Sequence, residues 1–141
     1  MIFSRKSDYA LRALIYLAQR MENGPITLNE ITDKLFIPKA FLSKILQQLS
    51  RKGLIRSLKG PSGGFVLAVD PAELTLNEIV IEVDGEQRVF ECFGLETSCN
   101  LTGDCRIHDV FKDVEVEVTK VLAGYTLADL MAEKASNKLA E

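Results

Sequence analysis

The chain has 141 residues, and 47% of them are hydrophobic, which is enough material for the core of one ordinary domain. The apolar runs are far shorter than the roughly 20 residues that cross a bilayer, and the N-terminus lacks the pattern of a secretory leader. These features exclude a membrane protein, and we expect a cytoplasmic one.

Charge is distributed unevenly along the chain, and the net charge of −3 hides this. Residues 1–69 carry 11 Lys and Arg against 4 Asp and Glu, whereas residues 70–141 carry 6 against 16. Lys and Arg neutralise phosphates and release condensed counterions, so the net +7 of the first part suits a polyanionic partner. A solvated basic surface would have the same composition, so charge alone leaves nucleic-acid binding open.

The first two helices are predicted from periodicity and end signals. Residues 5–21 repeat apolar side chains at helical spacing, which predicts a mostly buried helix that Asn23-Gly24-Pro25 ends. The sequence Thr27-Leu28-Asn29-Glu30 is a capping-box pattern, and it predicts a second helix running to about Leu35. Phe36-Ile37-Pro38 then breaks the chain, because the residue before a proline avoids helical geometry.

A third helix is predicted from Pro38 to Lys52. One face is apolar and consists of Phe41, Leu42, Ile45, Leu46 and Leu49. The opposite face carries small, amide and basic side chains, namely Ala40, Ser43, Lys44, Gln47 and Arg51. In a major groove, the Gln and Lys side chains can reach base edges while Ser and Arg bind phosphates. A plain amphipathic surface helix has the same pattern.

A hairpin follows the third helix. Two short strands are predicted at 54–58 and 65–69, and the glycine-rich turn 59–64 joins them. The glycines allow a close backbone approach, and Lys59 at the tip could enter a minor groove. The turn lacks the spacing of a nucleotide-binding phosphate loop. The predicted fold is therefore mostly α with a small β-hairpin wing, a winged helix–turn–helix followed by a long C-terminal dimerisation helix.

The second half combines a fourth helix with a cysteine-rich segment. Thr75-Leu76-Asn77-Glu78 repeats the capping-box pattern and starts a helix that ends near residue 84. Residues 85–104 have no readable period, and the three cysteines and the single histidine lie in or just after them: Cys92, Cys99, Cys105 and His108. An odd cysteine count argues against a disulfide framework, and the polar flanks argue against buried thiols. Metal ligation fits best, by an iron–sulphur cluster or by zinc.

A long amphipathic helix is predicted after the cysteines. Its apolar residues recur at threes, fours and sevens: Ile107, Val110, Phe111, Val114, Val118, Val121 and Leu122. The seam could pack inside the monomer, but we favour a two-fold dimer, which would set two third helices about one DNA turn apart on a palindromic site. Thr126-Leu127-Ala128-Asp129 starts a final short helix.

At this point the sequence resembles the IscR/NsrR/CymR group of bacterial winged-helix regulators, the Rrf-two family. The resemblance rests on SDYALRALIYLA at 7–18, KGPSGGFVLA at 59–68, the three spaced cysteines and YTLADL at 125–130. It implies a homodimer that binds operator DNA and carries an iron–sulphur cluster that responds to oxygen, iron or nitric oxide. It further implies DNA contacts from Lys39, Ala40, Ser43 and Lys44 in the third helix, to which the helix pattern adds Gln47. Lys59 and Gly60 would be the wing contacts, and Cys92, Cys99 and Cys105 the cluster thiolates.

The fourth cluster ligand has two candidates. His108 follows Cys105 by three residues, as in family members with a 2Fe–2S cluster, and we favour this arrangement. Asp8 lies in the first helix, as in members where a carboxylate of the partner subunit completes a 4Fe–4S cluster. The spacing from Cys92 to Cys99 is one residue longer than in the best-known members, so it does not decide the cluster type.

The predicted organisation is a DNA-binding domain at 1–84, a cluster-binding loop at 85–105, and a dimerisation helix with a C-terminal helix at 106–141. No catalytic constellation is present, so we expect a regulator and not an enzyme. The alternatives are a zinc-bound or thiol-sensing winged-helix repressor without iron, an iron–sulphur carrier, and a protein–protein adaptor. The basic first half argues against the last two.

Overall fold

The computed structural model describes residues 3–86 and 105–132. The helices in this part are α1 (Arg5–Ala18), α2 (Leu28–Leu35), α3 (Lys39–Arg51), α4 (Leu76–Asp84), α5 (Arg106–Ala123) and α6 (Leu127–Met131). Strands β1 (Ile55–Leu58) and β2 (Gly64–Leu67) form an antiparallel hairpin between α3 and α4. The mostly helical fold with one small hairpin confirms the predicted fold class. No helix within these two ranges is long and apolar enough to cross a bilayer.

The core is built around α1, which packs against α2, α3, α4, α6 and the second strand of the hairpin. Its buried apolar side chains sit at the spacing expected for one helix face, as at Ala10, Ala13, Leu14 and Leu17. The third helix meets this core with Leu42, Ile45, Leu46 and Leu49, all almost fully buried. Burying one face of α3 leaves its other face in solvent.

Three threonines start helices, and they do so in two different ways. Thr75 and Thr126 each form the reciprocal capping box with the acid three residues later, Glu78 and Asp129. Thr27 accepts the N–H of Glu30, but the Glu30 carboxylate accepts a 2.9 Å hydrogen bond from the Tyr16 hydroxyl of α1. The capping box predicted at Thr27 is therefore only partly formed. The Glu30 carboxylate accepts from Tyr16 of another helix and not from the backbone N–H of Thr27.

Two other predictions about helix faces need correction. The first helix ends at Ala18, and Met21 lies in a 3-10 turn with 48% of its surface exposed, so it is not part of the buried face. Phe41 was predicted on the buried face of the third helix, but it is 42% exposed and meets the Tyr9 ring edge-on at 5.5 Å between ring centroids.

Backbone contacts fasten the hairpin and the last helix to the core. Ile26, in the connection to α2, forms an antiparallel bridge with Phe65 of β2. The neighbouring Gly64 has φ +154°, and a Cβ there would lie 2.6 Å from the Ile26 carbonyl oxygen, so only glycine allows this approach. At the other end, Thr126 bridges Thr75 and places Leu127, which is fully buried, in the same core.

Candidate nucleic-acid interface and cysteine site

The exposed face of α3 agrees with the face predicted from its sequence. Ile37 is buried just before the helix and anchors the turn from α2, while Pro38 precedes the first helical residue, Lys39. Ala40, Lys44, Gln47 and Arg51 recur at spacings of three and four, and all four are exposed. Ser43 lies at the flank of this stripe and is half-buried.

Five basic residues on α3 and the hairpin form no ion pair with any residue of the described ranges: Lys39, Lys44, Arg51, Arg56 and Lys59. All five are exposed, and we call them the unpaired cations. By contrast, Lys52 lies 3.2 Å from Glu82, and Arg12 lies 2.9 Å from Asp8. A cation without a carboxylate partner loses no ion pair when a phosphate binds it.

The tip of the hairpin is open to solvent. Lys59 and Gly60 are exposed, and Gly60 has φ +105°, a backbone conformation that residues with a Cβ rarely adopt. The position of Lys59 at the tip therefore depends on a turn whose backbone conformation favours glycine at residue 60.

The C-terminal end of α4, residues 82–84, is tied to two other helices, and we call it the α4 junction. The Asp84 carboxylate accepts hydrogen bonds from the Ser4 hydroxyl (2.5 Å), the Ser4 N–H (3.2 Å) and the Ser7 hydroxyl (2.6 Å). From α3, the Gln48 amide donates to the Glu82 and Val83 carbonyl oxygens at 2.8 and 3.4 Å. The cysteine-rich sequence begins directly after this junction.

The electrostatics of the α4 junction favour an ionised Asp84. Burial raises the pKa of this carboxyl, but the hydrogen bonds from Ser4 and Ser7 and the nearby Lys6 outweigh burial and hold the pKa below its ordinary value. Ser7 itself is the one buried polar residue of the described ranges. The link between α1 and α4 is therefore an anionic hydrogen-bond network in a partly buried position.

The structure describes Cys105 and His108 of the predicted ligand set, together with the alternative ligand Asp8. Cys105 is a free, half-buried thiol at the N-cap of α5, and His108 lies three residues later with its Nδ1 3.1 Å from the Asp109 carboxylate. Cys92 and Cys99 lie outside the described residues, and within those residues no group of three possible metal ligands comes together. The alternative ligand Asp8 is exposed on α1, and both of its oxygens accept from the Arg12 guanidinium, at 2.9 and 3.1 Å.

The described residues leave much of the apolar side of α5 exposed to solvent. None of its 18 residues is buried, although the helix packs on α4 with one face. The adjacent face carries Val110 and Val121, which are 60% and 57% exposed. Together with the N-terminal segment this face forms an open apolar groove of about 590 Å³, lined by Phe3, Val110, Asp113, Val114, Glu117, Val118, Val121 and Leu122.

A family model matches residues 3–133 of the chain, and its description is an iron-dependent transcriptional regulator, Rrf2. The chain belongs to the Rrf2 family. As an Rrf2 protein it is a DNA-binding transcriptional regulator, and the related proteins are regulators and not enzymes.

Relatives with different names match this Rrf2 chain over most of their length. The regulator NsrR of Geobacillus kaustophilus is 34% identical over 131 residues, covering 92% of this chain and 89% of the relative. The regulator IscR of Aliivibrio salmonicida is 26% identical over 141 residues, covering all of this chain and 83% of the relative. The structure of CymR, the global cysteine regulator of Bacillus subtilis, superposes with a TM-score of 0.76 at 26% identity, covering 93% and 96% of the two chains.

The sequence reasoning missed the α4 junction of this Rrf2 protein. Asp84 lies 80 residues from Ser4 and 77 from Ser7, and no periodicity connects them. The one available signal was a serine near the start of α1, Ser7, on the face that packs into the core. A small polar residue among apolar ones on a buried face indicates a hidden hydrogen-bond partner.

Proposed function

We propose that this chain is a cytoplasmic homodimeric regulator that reads a palindromic operator and adjusts its affinity through an iron–sulphur cluster. In this proposal α3 is the recognition helix, with Lys39, Ala40, Ser43, Lys44 and Gln47 facing the major groove. Lys59 and Gly60 of the wing contact the adjacent minor groove. Residues 1–84 bind DNA, 85–105 hold the cluster, and 106–141 supply the dimer contacts.

The observation that carries the DNA-binding surface is the set of unpaired cations. They are concentrated on α3 and the hairpin, whereas Arg12 and Lys112 pair with nearby carboxylates. The other exposed basic residues that form no ion pair with the described residues are spread over three separate helices: Arg5, Lys34 and Arg106. A duplex presents one phosphate charge per about 1.7 Å, so a surface of unpaired cations gains favourable contacts without first breaking ion pairs.

The support for a homodimer is the exposed apolar face of α5. Monomeric proteins rarely leave a large contiguous apolar surface in water, and this one runs along most of a helix of 18 residues. A second copy can cover it with the same face, because two-fold contacts are self-complementary. Such a pair presents two recognition helices to the two halves of a palindrome.

The chemistry of the described donors fits a thiolate-ligated metal group. Cys105 is accessible at the positive end of the α5 dipole, which favours the negative charge of a bound thiolate. His108 has a carboxylate at Nδ1, the arrangement that orients a histidine to bind metal through Nε2. With Cys92 and Cys99 these residues would hold a 2Fe–2S cluster, which when bound supplies a centre sensitive to redox state or nitric oxide.

His108 is the better-supported fourth ligand, and Asp8 is the alternative. For Asp8 to bind metal, its carboxylate would have to serve a metal cation and the Arg12 guanidinium together, and the positive charge of Arg12 opposes this. His108 needs no such sharing, because its carboxylate neighbour is compatible with metal binding.

The α4 junction provides a route from the cluster to the DNA surface. The cluster segment leaves α4 at this point, and the junction holds both α1, through Asp84, and α3, through Gln48. A cluster bound by the cysteines after α4 would pull on the junction, and the junction can pass that displacement to the recognition helix.

A second candidate is a thiol-sensing or zinc-bound repressor without iron. It is favoured by the likeness to the cysteine regulator CymR and by the free, accessible thiol of Cys105. Metal analysis and the absorbance spectrum of protein purified without oxygen distinguish the candidates, because only the iron–sulphur form absorbs strongly in the visible range.

The test of the cluster ligands uses Cys92→Ala, Cys99→Ala and Cys105→Ala separately, each purified anaerobically, with Ser57→Ala as a control for handling. We expect each cysteine variant to lose the visible absorbance and to remain dimeric. Colour retained in all three would contradict the ligand assignment. Asp8→Ala and His108→Ala distinguish the two fourth ligands by which of them changes the spectrum.

The test of DNA binding uses duplexes selected by the wild-type protein from a randomised 30-base-pair pool. We expect binding that weakens steeply with salt, with log K falling by about 0.9 per phosphate contact for each unit of log salt. Failure to enrich any duplex at low ionic strength, with and without metal, would contradict the proposed function.

A further inference from the structure

The turn between α2 and α3 contains a residue that is unusual in both its backbone and its side chain. Phe36 has φ +56° and ψ +36°, the left-handed conformation, and it is the only non-glycine residue with positive φ in the described ranges. Its side chain is 91% exposed, more than any other large apolar residue of those ranges. Glycine or asparagine usually occupies such a position, because a Cβ crowds the backbone there.

The fold uses the backbone of Phe36 and not its ring. The Phe36 N–H donates to the Thr32 carbonyl oxygen at 2.9 Å and closes α2, and the next side chain, Ile37, is buried and anchors the turn. A glycine would supply the same hydrogen bond with less strain. A strained position that carries a large ring into solvent therefore points to a role outside folding.

The surroundings of the ring indicate what it contacts. After the buried Ile37 come three exposed residues, Pro38, Lys39 and Ala40, and Lys39 is one of the unpaired cations. Three residues of extended chain span at most about 10 Å, so the Cα of Phe36, which carries the ring, lies within roughly that distance of the Cα of Lys39, the first residue of α3. The major groove is about 12 Å wide, so a ring at this distance can reach the groove edge when α3 occupies the groove.

We propose that Phe36 is a DNA-contacting residue whose ring packs on apolar carbon surface at the edge of the major groove. This inference rests on the proposed function, in which α3 is the recognition helix. The closing hydrogen bond of α2, the buried Ile37 and the rigid Pro38 fix the backbone that carries the ring, so little backbone freedom is lost on binding. The apolar partner is the 5-methyl group of thymine or the carbons of a deoxyribose.

The experiment compares Phe36→Gly, Phe36→Asn and Phe36→Leu with the wild type on a duplex selected from the randomised pool. Glycine and asparagine both suit the left-handed backbone, so we expect each of these variants to keep or raise Tm. Both should bind the duplex about tenfold more weakly, as for loss of one aromatic contact, and leucine should recover part of the affinity. Met21→Ala, which removes an exposed apolar side chain away from this turn, is the matched control and should not change affinity.

Substituting deoxyuridine for thymine in the same duplex separates the two apolar partners. If the wild type loses affinity and Phe36→Gly does not, the ring reads a thymine methyl group and contributes to sequence preference. If neither protein responds while Phe36→Gly still binds weakly, the ring packs on deoxyribose.

Two results would overturn the inference. One is wild-type affinity in both Phe36→Gly and Phe36→Asn, and the other is a lower Tm in both, which would mean that the ring stabilises the turn. The Lys44→Ala/Lys59→Ala double variant, assayed in parallel, separates this inference from the proposed function. If it loses affinity while the Phe36 variants do not, only the role of Phe36 is wrong; if it also binds normally, the proposed DNA surface is wrong.

Discussion

Helices α1 and α5 are both amphipathic, and they differ in what covers their apolar side. The first buries seven of its 14 residues inside the chain, and the second buries none of its 18. The apolar face of α1 is therefore buried inside the fold, whereas the apolar face of α5 is partly exposed to solvent. The same kind of sequence pattern serves the core in one helix and is available to a second molecule in the other.

The pairing of charges also differs between α5 and the winged helix, but in the opposite sense to the burial of apolar residues. On α5 the lysines Lys112 and Lys120 lie near glutamates one turn away, whereas the cations of α3 and the hairpin have no carboxylate partner within the described ranges. The winged helix thus completes its core and leaves five cations unpaired, while α5 pairs both of its lysines and leaves apolar surface exposed. Each region lacks the type of contact that its proposed partner, DNA or a second copy, would provide.

The largest effect is expected from placing charge on the uncovered side of α5. The double variant Val110→Glu/Val121→Glu should convert a dimer to a monomer and weaken operator binding by 100-fold or more, because burying two carboxylates in an interface is very unfavourable. Neither valine is buried in the single chain, so the helical circular dichroism should not change. Sedimentation analysis measures the change in mass.

The control for this prediction is Thr119→Glu, an exposed position of α5 that does not line the groove. It should remain as dimeric as the wild type. An intact dimer in the Val110→Glu/Val121→Glu protein would show that the exposed apolar side of α5 is not the dimer interface. Another surface would then join the copies.

The next effect concerns the unpaired cations. Lys44→Ala/Lys59→Ala should bind the selected duplex about 100-fold more weakly, and the slope of log K against log salt should fall in magnitude by about 3.6, since a dimer loses four cations that neutralise phosphates, two from each subunit. Fluorescence anisotropy at several salt concentrations measures both quantities. Lys120→Ala, which removes a cation from α5, is the control, and an equal loss in that protein would mean that only net charge matters.

A smaller effect is expected at the α4 junction. Asp84→Asn should lower the free energy of unfolding by about 2 kcal/mol at neutral pH, because it weakens hydrogen bonds to a charged group. The folded-state pKa of Asp84 lies below its ordinary value of 3.8, so the carboxylate stabilises the fold above that pH, and the contribution is lost as the pH falls through the folded-state pKa. Urea unfolding between pH 7 and 3 should therefore bring wild type and variant closer together in acid.

Asp33→Asn is the matched control for the junction, because Asp33 is an exposed acid on α2. Its stability should follow the wild type at every pH. A constant difference between Asp84→Asn and the wild type from pH 7 to pH 3 would contradict the ionised network with Ser4 and Ser7.

The smallest effect is expected at the wing. Gly60→Val should lower the free energy of unfolding by about 1 kcal/mol, since valine is strained at a φ of +105°. Operator affinity should fall several-fold as the tip moves, whereas Ser62→Val, an exposed position in the same turn, should have little effect. Equal behaviour of the two variants in thermal unfolding and DNA binding would mean that the backbone shape at Gly60 is unimportant.

Much of the fold could be predicted because the determinants are local. Apolar spacing defined the buried face of α3, the threonine–acid pairs located the starts of α4 and α6, and the glycine-rich turn located the hairpin between β1 and β2. The exposed positions Lys44 and Gln47 followed from the helical period of α3, and Lys59 followed from its place in the glycine-rich turn. The metal site stays a prediction for all of its residues, and Cys92 and Cys99 lie outside the described residues.

The amino-acid sequence by itself determined where the helices and the hairpin form, because helical and strand periods and end signals act over a few residues. Only the tertiary structure decided which partner each group meets. It gave Glu30 to Tyr16 and not to its own cap, joined Asp84 to serines about 80 residues away, and covered α1 but not the apolar face of α5. Periodicity reports that a helix has an apolar face, but what packs on that face depends on how distant segments come together.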